Sequence, residues 1–399
     1  MRRPVLFLDV SRLVRRYEHF GGPTGIDRID LMYARWAGTQ TAFTVRPVTR
    51  WSHRLVMLRD GALEHVLATL EARWTSGRPP QFGRAGRSPL RFGAERVAGR
   101  TRHLSLLRGA KALDADGAPN VTLNVSHDGL DDAARFADLP GPFAALLHDL
   151  IPITHPEYET ARASALHERR LHTLAAHADH VFTVSAATQS VLHALYPDAD
   201  FGSSVVHVAP GLVKTDDPII PDRPTFVHLS SVERRKNLAM LLHVWRDIVA
   251  REPDPPHLMV IGKRGGDGTA IDLIERCDAL QPHVTATGGL SDTDVARHLA
   301  GARALLTPSF VEGFGLPIVE AHVMGVPVIA SDIAPHREIG GPSTLFLSPL
   351  DGLGWREAIL AYARDPALVA EKAAAIVPPQ GWDAHFEAVT DTLLALASR

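Results

Sequence analysis

PSFVEGFGLPIVEAHVMGVPVIASD, residues 308–332, is the stretch from which the fold can be read. It follows an apolar run, ARALLTPS (302–309), that reads as a buried strand. Gly313 and Gly315 bracket Phe314 in a tight loop, and Pro317 stands where the first helical residue is expected, because a missing N–H costs nothing there. The helix predicted over 317–324 ends at Gly325, and VPVIAS (326–331) reads as the next strand. In such a unit the N–H groups from Gly313 to Leu316 point at the helix N-terminus, where open donors and the helix dipole favour an anion. Glu320, about one turn in, leans back toward that end and would accept two hydrogen bonds from a ribose diol. Glu312 precedes the loop, on the side where a sugar would lie. Two glutamates eight apart mean little alone; the strand, glycine loop, proline, helix and strand around them turn the pair into a candidate site.

The same alternation extends in both directions. Toward the C-terminus, Gly354–Arg364 reads as a helix, and an amphipathic helix closes the chain from about Trp382 to Ala397. Toward the N-terminus, TFVHLSS (225–231), HLMVIG (257–262) and 283–287 read as strands, and Leu238–Ala250 and 292–302 as helices. Ser291, with Asp294 three residues on, is placed to cap the second of these helices. KTDDPIIPDRP (214–224) breaks the pattern with three prolines and three aspartates and reads as a linker. Before it, Pro4–Val10, VTLNV (121–125), FAALLHDL (143–150) and HVFTVS (180–185) read as strands. A glycine-rich loop from Gly21 to Gly25 opens a helix over 26–36, and 157–178 reads as a long helix. The expected organisation is α/β: a Rossmann-like domain over 1–213, a second over 214–380 facing it across a cleft, and a C-terminal helix, 381–399, returning to the first.

Bulk properties are permissive. Two domains suit 399 residues. A formal net charge of -3 gives no bulk signal for nucleic acid. The lone Cys277 excludes an internal disulfide and fits a reducing compartment. The opening MRRPVLFLDVSRLVRR is interrupted by Asp9 and reads as a first strand, and no apolar stretch approaches a membrane span. A cytoplasmic protein, soluble or peripheral on the inner face of the membrane, is therefore expected. Residues 73–108 carry nine arginines, interleaved with Trp74, Phe82, Leu90 and Phe92, against one acid, Glu95. Two readings stay open for this segment: a solvated loop, or a patch that docks on anionic lipid head groups or a diphosphate-bearing acceptor. No nucleic-acid module accompanies the charges.

Most of the chain resembles the family-four retaining glycosyltransferases of the two-Rossmann-domain (GT-B) type. EGFGLPIVE (312–320) is similar to that family's Glu-x7-Glu motif, and SVERRKNL (231–238) to its loop ending in Arg-Lys-Asn. VIGKRGG (260–266) and GGLSDTDVARHLAGARALLTPS (288–309) resemble the segments that follow. PTGIDRID (23–30), LLHDLIPITHPEY (146–158) and FTVSAATQSVL (182–192) carry the likeness into the first half. The least similar region is 40–118.

The resemblance implies a nucleotide-diphosphate sugar as donor and a glycan or lipid-linked oligosaccharide as acceptor, in polysaccharide biosynthesis. It implies that Arg235 and Lys236 neutralise the diphosphate, helped by the backbone of Gly313, Phe314, Gly315 and Leu316. Ser230 stands where some relatives carry a further arginine. Glu320 would hold the ribose, Glu312 the donor sugar and its developing anomeric charge, and Gly25 would bring its N–H close to phosphate. His148 would hydrogen-bond a sugar hydroxyl, and Asp149 would orient nearby backbone or the acceptor. Catalysis is expected to rest on His148, Glu312 and Lys236, with retention and without a metal. Of the two Asp-x-Asp triplets, Asp114–Asp116 lies in the poorly matched region and Asp292–Asp294 reads as helix capping. The HDLIP–HPEY wording favours GDP-mannose. A UDP-sugar transferase, a sugar-nucleotide epimerase of the same fold and an inactive glycan-binding subunit remain as alternatives.

Overall fold

The computed structural model describes residues 2–18, 23–75, 106–107 and 110–399. Gly21, Gly22 and nearly all of the arginine-rich 73–108 segment, with its proposed membrane contact, lie outside the described residues. The chain divides into two compact units. The first comprises the described residues up to Val208 together with Gly381–Arg399; the second is built on Ala209–Gln380.

The first unit holds seven strands: β1 (Val5–Asp9), β2 (Thr44–Trp51), β3 (Arg54–Met57), β4 (Asn120–Asn124), β5 (Phe143–Leu147), β6 (His180–Thr183) and β7 (Gly202–Val205). Their order is β3-β2-β1-β4-β5-β6-β7, parallel throughout except for the β2–β3 hairpin. β1 (VLFLD) and β5 (FAALL) are buried along their whole length, as strands of a parallel sheet covered on both faces must be. β1 and β4 pair from Val5↔Asn120 to Asp9↔Asn124, so they end side by side where the strand order reverses. The C-terminal helix Trp382–Ala397 packs within this unit. Phe386 stacks on Trp36 at 5.0 Å, Tyr33 Oη lies 2.8 Å from His385 Nε2, and His385 Nδ1–H donates to the His207 carbonyl.

The second unit is a wholly parallel sheet of β8 (Thr225–Leu229), β9 (His257–Ile261), β10 (Val284–Thr287), β11 (Ala304–Thr307), β12 (Val328–Ser331) and β13 (Thr344–Leu347). The order β10-β9-β8-β11-β12-β13 reverses between β8 and β11. Trp245, Trp355, Phe226 and Leu306 fill one face, and Leu305, Ile318, Leu299 and Val328 the other. Both units are Rossmann-like, and in such folds ligands bind beyond the carboxyl ends of the strands where the order reverses.

Several elements depart from the sequence expectation. The hairpin β2–β3 and the helix Ala62–Thr75 occupy a region that carried no motif. The helix expected over 157–178 runs Ala161–His177, because Thr160 takes an extended backbone and its hydroxyl caps the Ala163 N–H. Pro317 is the second helical residue rather than the first: the helix is Leu316–Val323, with Gly315 as its N-cap. A proline is tolerated anywhere in that turn, because its four N–H groups have no partner inside the helix. The helix Ala334–Gly340 was not anticipated either.

Candidate functional site

The ends of β8 and β11 hold the motif residues of the second unit. After β8 the chain makes one 3-10 turn, Arg234–Lys236, and passes through Asn237 in the left-handed region (φ 55) before the helix Leu238–Arg251. Asn237 Nδ2 donates to the carbonyls of Pro308 (3.1 Å) and Pro349 (2.8 Å), and Phe310 N–H donates to Arg235 O. These bonds tie the Arg-Lys turn to the segment leaving β11. Gly262, at the end of β9, permits a close backbone approach: a Cβ there would lie 1.7 Å from the Ser230 carbonyl.

That tie places Lys236 Nζ 2.5 Å from Glu312 Oε1 and Arg235 Nη1 2.9 Å from Oε2, and the Ser309 hydroxyl donates to Oε1 at 2.7 Å. Arg235 Nε also meets Glu233 at 3.1 Å. Lys236 is buried, and the Glu312 side chain is only 9% exposed. Burial alone would raise the Glu312 pKa, but Lys236 and Arg235 outweigh it and hold the carboxyl well below its usual range. Burial and the neighbouring Arg235 push Lys236 down, against the pull of Glu312. Glu312, expected at the sugar, and the two cations, expected at phosphate, lie together in one ion-paired cluster.

The glycine loop lies beside this cluster. Gly315 has φ +112, and a Cβ there would meet His336 Cδ2 at 3.0 Å and Ile339 at 3.1 Å. Phe314 is buried, and Gly313 and Leu316 are half-buried. Glu320, one turn on, is 3% exposed. The helix closes in a Schellman motif, with Val326 N–H donating to Ala321 O, Gly325 N–H to His322 O, and Gly325 at φ +76. Ser230 sits at the end of β8 and hydrogen-bonds His228 Nε2 (2.8 Å); the Nδ1–H of that histidine donates to Leu306 O.

In the first unit, His148 follows β5 and is buried. Its N–H donates to His127 Nε2 (3.0 Å) and its Nε2–H to Val125 O (2.6 Å), which leaves Nδ1 as an acceptor. Burial pushes its pKa to about 4, so the ring is neutral. The Asp149 carboxylate accepts from Ile151 N–H, and its carbonyl accepts from His167 Nε2. Gly25 opens the helix Gly25–Thr39 behind a reciprocal capping box of Thr24 and Asp27. Of the Asp-x-Asp triplets, Asp116 pairs with Arg46, and Asp292 and Asp294 lie in a helix's first turn, where Ser291 caps Asp294 N–H. Among the described residues, no group of three or more His, Cys, Asp or Glu side chains could hold a metal ion.

Sequence reasoning gave no role to Asn237, His127, His228 or His336. His336 Nδ1–H donates to Ser331 O at 3.0 Å behind Gly315. Asn237 was legible only as the end of the Arg-Lys-Asn loop, and His127 and His228 are marked by nothing local, because they act through partners distant in the chain.

Residues 223–376 match the family model described as Glycosyl transferases group 1. The chain is similar to the O-antigen chain mannosyltransferase B of Escherichia coli, 28% identical over 216 residues. That match covers 51% of this chain and 56% of the relative, so the alignment spans about half the length of each. Two solved structures share the fold over 99% of this chain and 100% of their own. They are a sucrose-phosphate synthase from Thermosynechococcus elongatus (17% identical, TM-score 0.61) and Anabaena HepE in complex with UDP and glucose (18%, 0.62). The fold is GT-B.

Proposed function

We propose that this chain, whose second unit carries a glycosyl transferases group 1 domain, moves a mannosyl group from GDP-mannose to a glycan or lipid-linked acceptor, with retention, in the assembly of a surface polysaccharide. The observation that carries the reading is the Lys236–Glu312–Arg235 cluster at the strand reversal of the second unit, beside the Gly313–Leu316 loop and its helix N-terminus. A diphosphate would share both cations with Glu312 and take the loop N–H groups. Glu320 would accept from the ribose hydroxyls, and Glu312 would face the sugar as its anomeric carbon gains positive charge. The bond from that carbon to the diphosphate oxygen breaks, the acceptor oxygen bonds to the same face, and its proton passes to the departing phosphate. Lys236 and Arg235 offset the charge that grows on that phosphate. His148 Nδ1 suits acceptance from a sugar hydroxyl, and Gly25 offers its N–H to an anionic oxygen. No metal is required in this scheme, so chelator is expected to leave turnover unchanged.

The UDP bound to HepE favours a second reading, a UDP-sugar donor on the same residues. A panel of nucleotide sugars, scored by thermal stabilisation, decides between them, because a ligand that binds only the folded state must raise the melting temperature. GDP-mannose should give the largest shift, and Glu320→Ala should abolish it. A larger shift with a UDP-sugar would move the assignment to that donor. Consumption of the nucleotide sugar without an acceptor would indicate an epimerase, and binding without turnover on any acceptor an inactive subunit. Peripheral attachment through the 73–108 segment is tested by co-sedimentation with phosphatidylglycerol vesicles against phosphatidylcholine ones.

A further inference from the structure

The first unit has its own strand reversal, between β1 and β4, and arginines surround it. The chain leaving β1 enters the helix Ser11–Glu18, which carries Arg12, Arg15 and Arg16. The chain leaving β4 turns through His127, at φ 59, to Asp128. The end of β2 brings Arg50, and the helix Ala161–His177 brings Arg170. Asp128 is 2% exposed and holds Arg50 Nη1 at 3.0 Å and Arg15 Nε at 3.3 Å, yet those two arginine side chains remain 33% and 37% exposed. Arg50 donates to Asp128 through Nη1, whereas Arg15 meets the other carboxylate oxygen only at ion-pair distance. Arg12 and Arg16 are taken by Asp27, at 2.7 Å each. Arg170 Nε is buried with no hydrogen-bond partner among the described residues.

The charges here do not balance. Arg12, Arg15, Arg16, Arg50 and Arg170 lie about the two carboxylates of Asp27 and Asp128. Asp131 and Asp132 both pair with Arg135, which offsets one of their two charges, and Asp131 also pulls on Arg170, which still leaves the arginines in excess. Asp9 and Asp30 also lie nearby, but burial raises both pKa values and disfavours their charged forms. Burial lowers Arg15, and repulsion from Arg12, Arg50 and Arg16 adds to it, against the pull of Asp128. Arg170 is lowered by burial in the same way, against the pull of Asp128 and Asp131, with Arg15 and Arg12 repelling it. The cluster adjoins the histidines: His127 lies 5.1 Å from His148 and 5.5 Å from His167, centroid to centroid, and the charges of Arg12 and Arg170 act on it.

We propose that this crevice is an anion subsite for the acceptor, in which Arg15, Arg50 and Arg170 bind a phosphate, diphosphate or carboxylate group beside His148. A planar guanidinium offers parallel N–H donors that match these anions two at a time. The ligand's identity as acceptor rests on the transferase reading; the anion specificity rests on the arginines alone.

Titration calorimetry on the full chain tests it, with farnesyl-diphospho-N-acetylglucosamine, a glucuronic acid-terminated disaccharide and neutral methyl mannobioside as probes, all in saturating GDP and UDP. A charged probe should bind at least tenfold more tightly than the neutral one and weaken with salt. Whichever charged probe binds identifies the source as lipid diphosphate or acidic glycan. The triple variant Arg15→Gln, Arg50→Gln, Asp128→Asn removes the arginines together with their buried counter-ion and should erase that preference. Arg170→Gln leaves the Asp128 pairs intact, carries the test if the triple variant does not fold, and should weaken the charged probe severalfold. Equal affinity for charged and neutral probes, or unchanged binding in the folded variants, overturns the subsite. A wild-type chain that no nucleotide sugar stabilises overturns the transferase reading instead and leaves the probe comparison standing.

Discussion

Lys236 Nζ and Glu312 Oε1 lie 2.5 Å apart although 76 positions separate the two residues in the chain. The pair joins the end of one parallel strand to the end of its neighbour, and Arg235 closes the cluster from the other carboxylate oxygen.

Lys236→Met should therefore damage both stability and chemistry. Stranding one member of a buried pair costs about 3–5 kcal/mol, although Arg235 and Ser309 remain to moderate the loss at Glu312. The midpoint of denaturant unfolding reads this term. Loss of one preorganised charge contact to a developing anion typically lowers turnover by about 10²–10³. A kcat within twofold of the wild type would remove Lys236 from the reaction.

Gly315→Ala and Gly325→Ala separate backbone strain from crowding. Both positions have positive φ, but only at Gly315 would the new methyl meet side chains, those of His336, Ile339 and Ile318. The Gly325 variant should lose about 1 kcal/mol and the Gly315 variant about 1–3 kcal/mol or more. Nucleotide affinity should fall only in the Gly315 variant. Equal affinities in the two variants would show that the loop's shape does not matter for the ligand.

Stability should fall as the medium becomes acidic, in two stages. Burial holds His148, His228 and His385 down to about 4. The unfolded chain takes up those protons near pH 6.5, so the unfolded state binds more protons between pH 6.5 and 4. The histidine contribution is full above 6.5 and is lost toward 4. Glu312 has a folded pKa below its unfolded one, so its contribution is present above about 4.3 and is lost below. A melting temperature flat from pH 8 to 7 and falling below 6.5 is expected, with a shallower fall in His385→Gln. A profile with no slope between 6.5 and 4.5 would refute the neutral buried histidines.

Phe386→Ala should destabilise the first unit by about 3 kcal/mol. Phe386 stacks on Trp36 at 5.0 Å and 7° and sits edge-on to Tyr33. Hydrogen exchange should quicken in Gly25–Thr39 and leave Leu238–Arg251 protected. Faster exchange in both helices would indicate that the two units unfold together.

What could be read in advance follows the range of the forces involved. The α/β alternation and the loop around Gly315 were legible because each depends on neighbours in the chain. Apolar runs make buried strands, a left-handed residue calls for glycine, and a proline is tolerated only where the N–H is spare. The hairpin β2–β3 and the short helix Ala334–Gly340 were not legible, because neither carries a strong period or cap; packing against β1 and β12 stabilises them.

By itself, the sequence determined that the protein is built of parallel α/β layers and where the strands and glycine turns around its motifs fall. The tertiary structure decided how those residues combine. It made Glu312 the ionic partner of Lys236 and Arg235, set His148 against His127 and Val125, and gathered arginines from two helices and one strand around Asp128. Strand order brings distant turns to the same end of a sheet, and Coulomb energy falls with distance in space, whatever the separation along the chain.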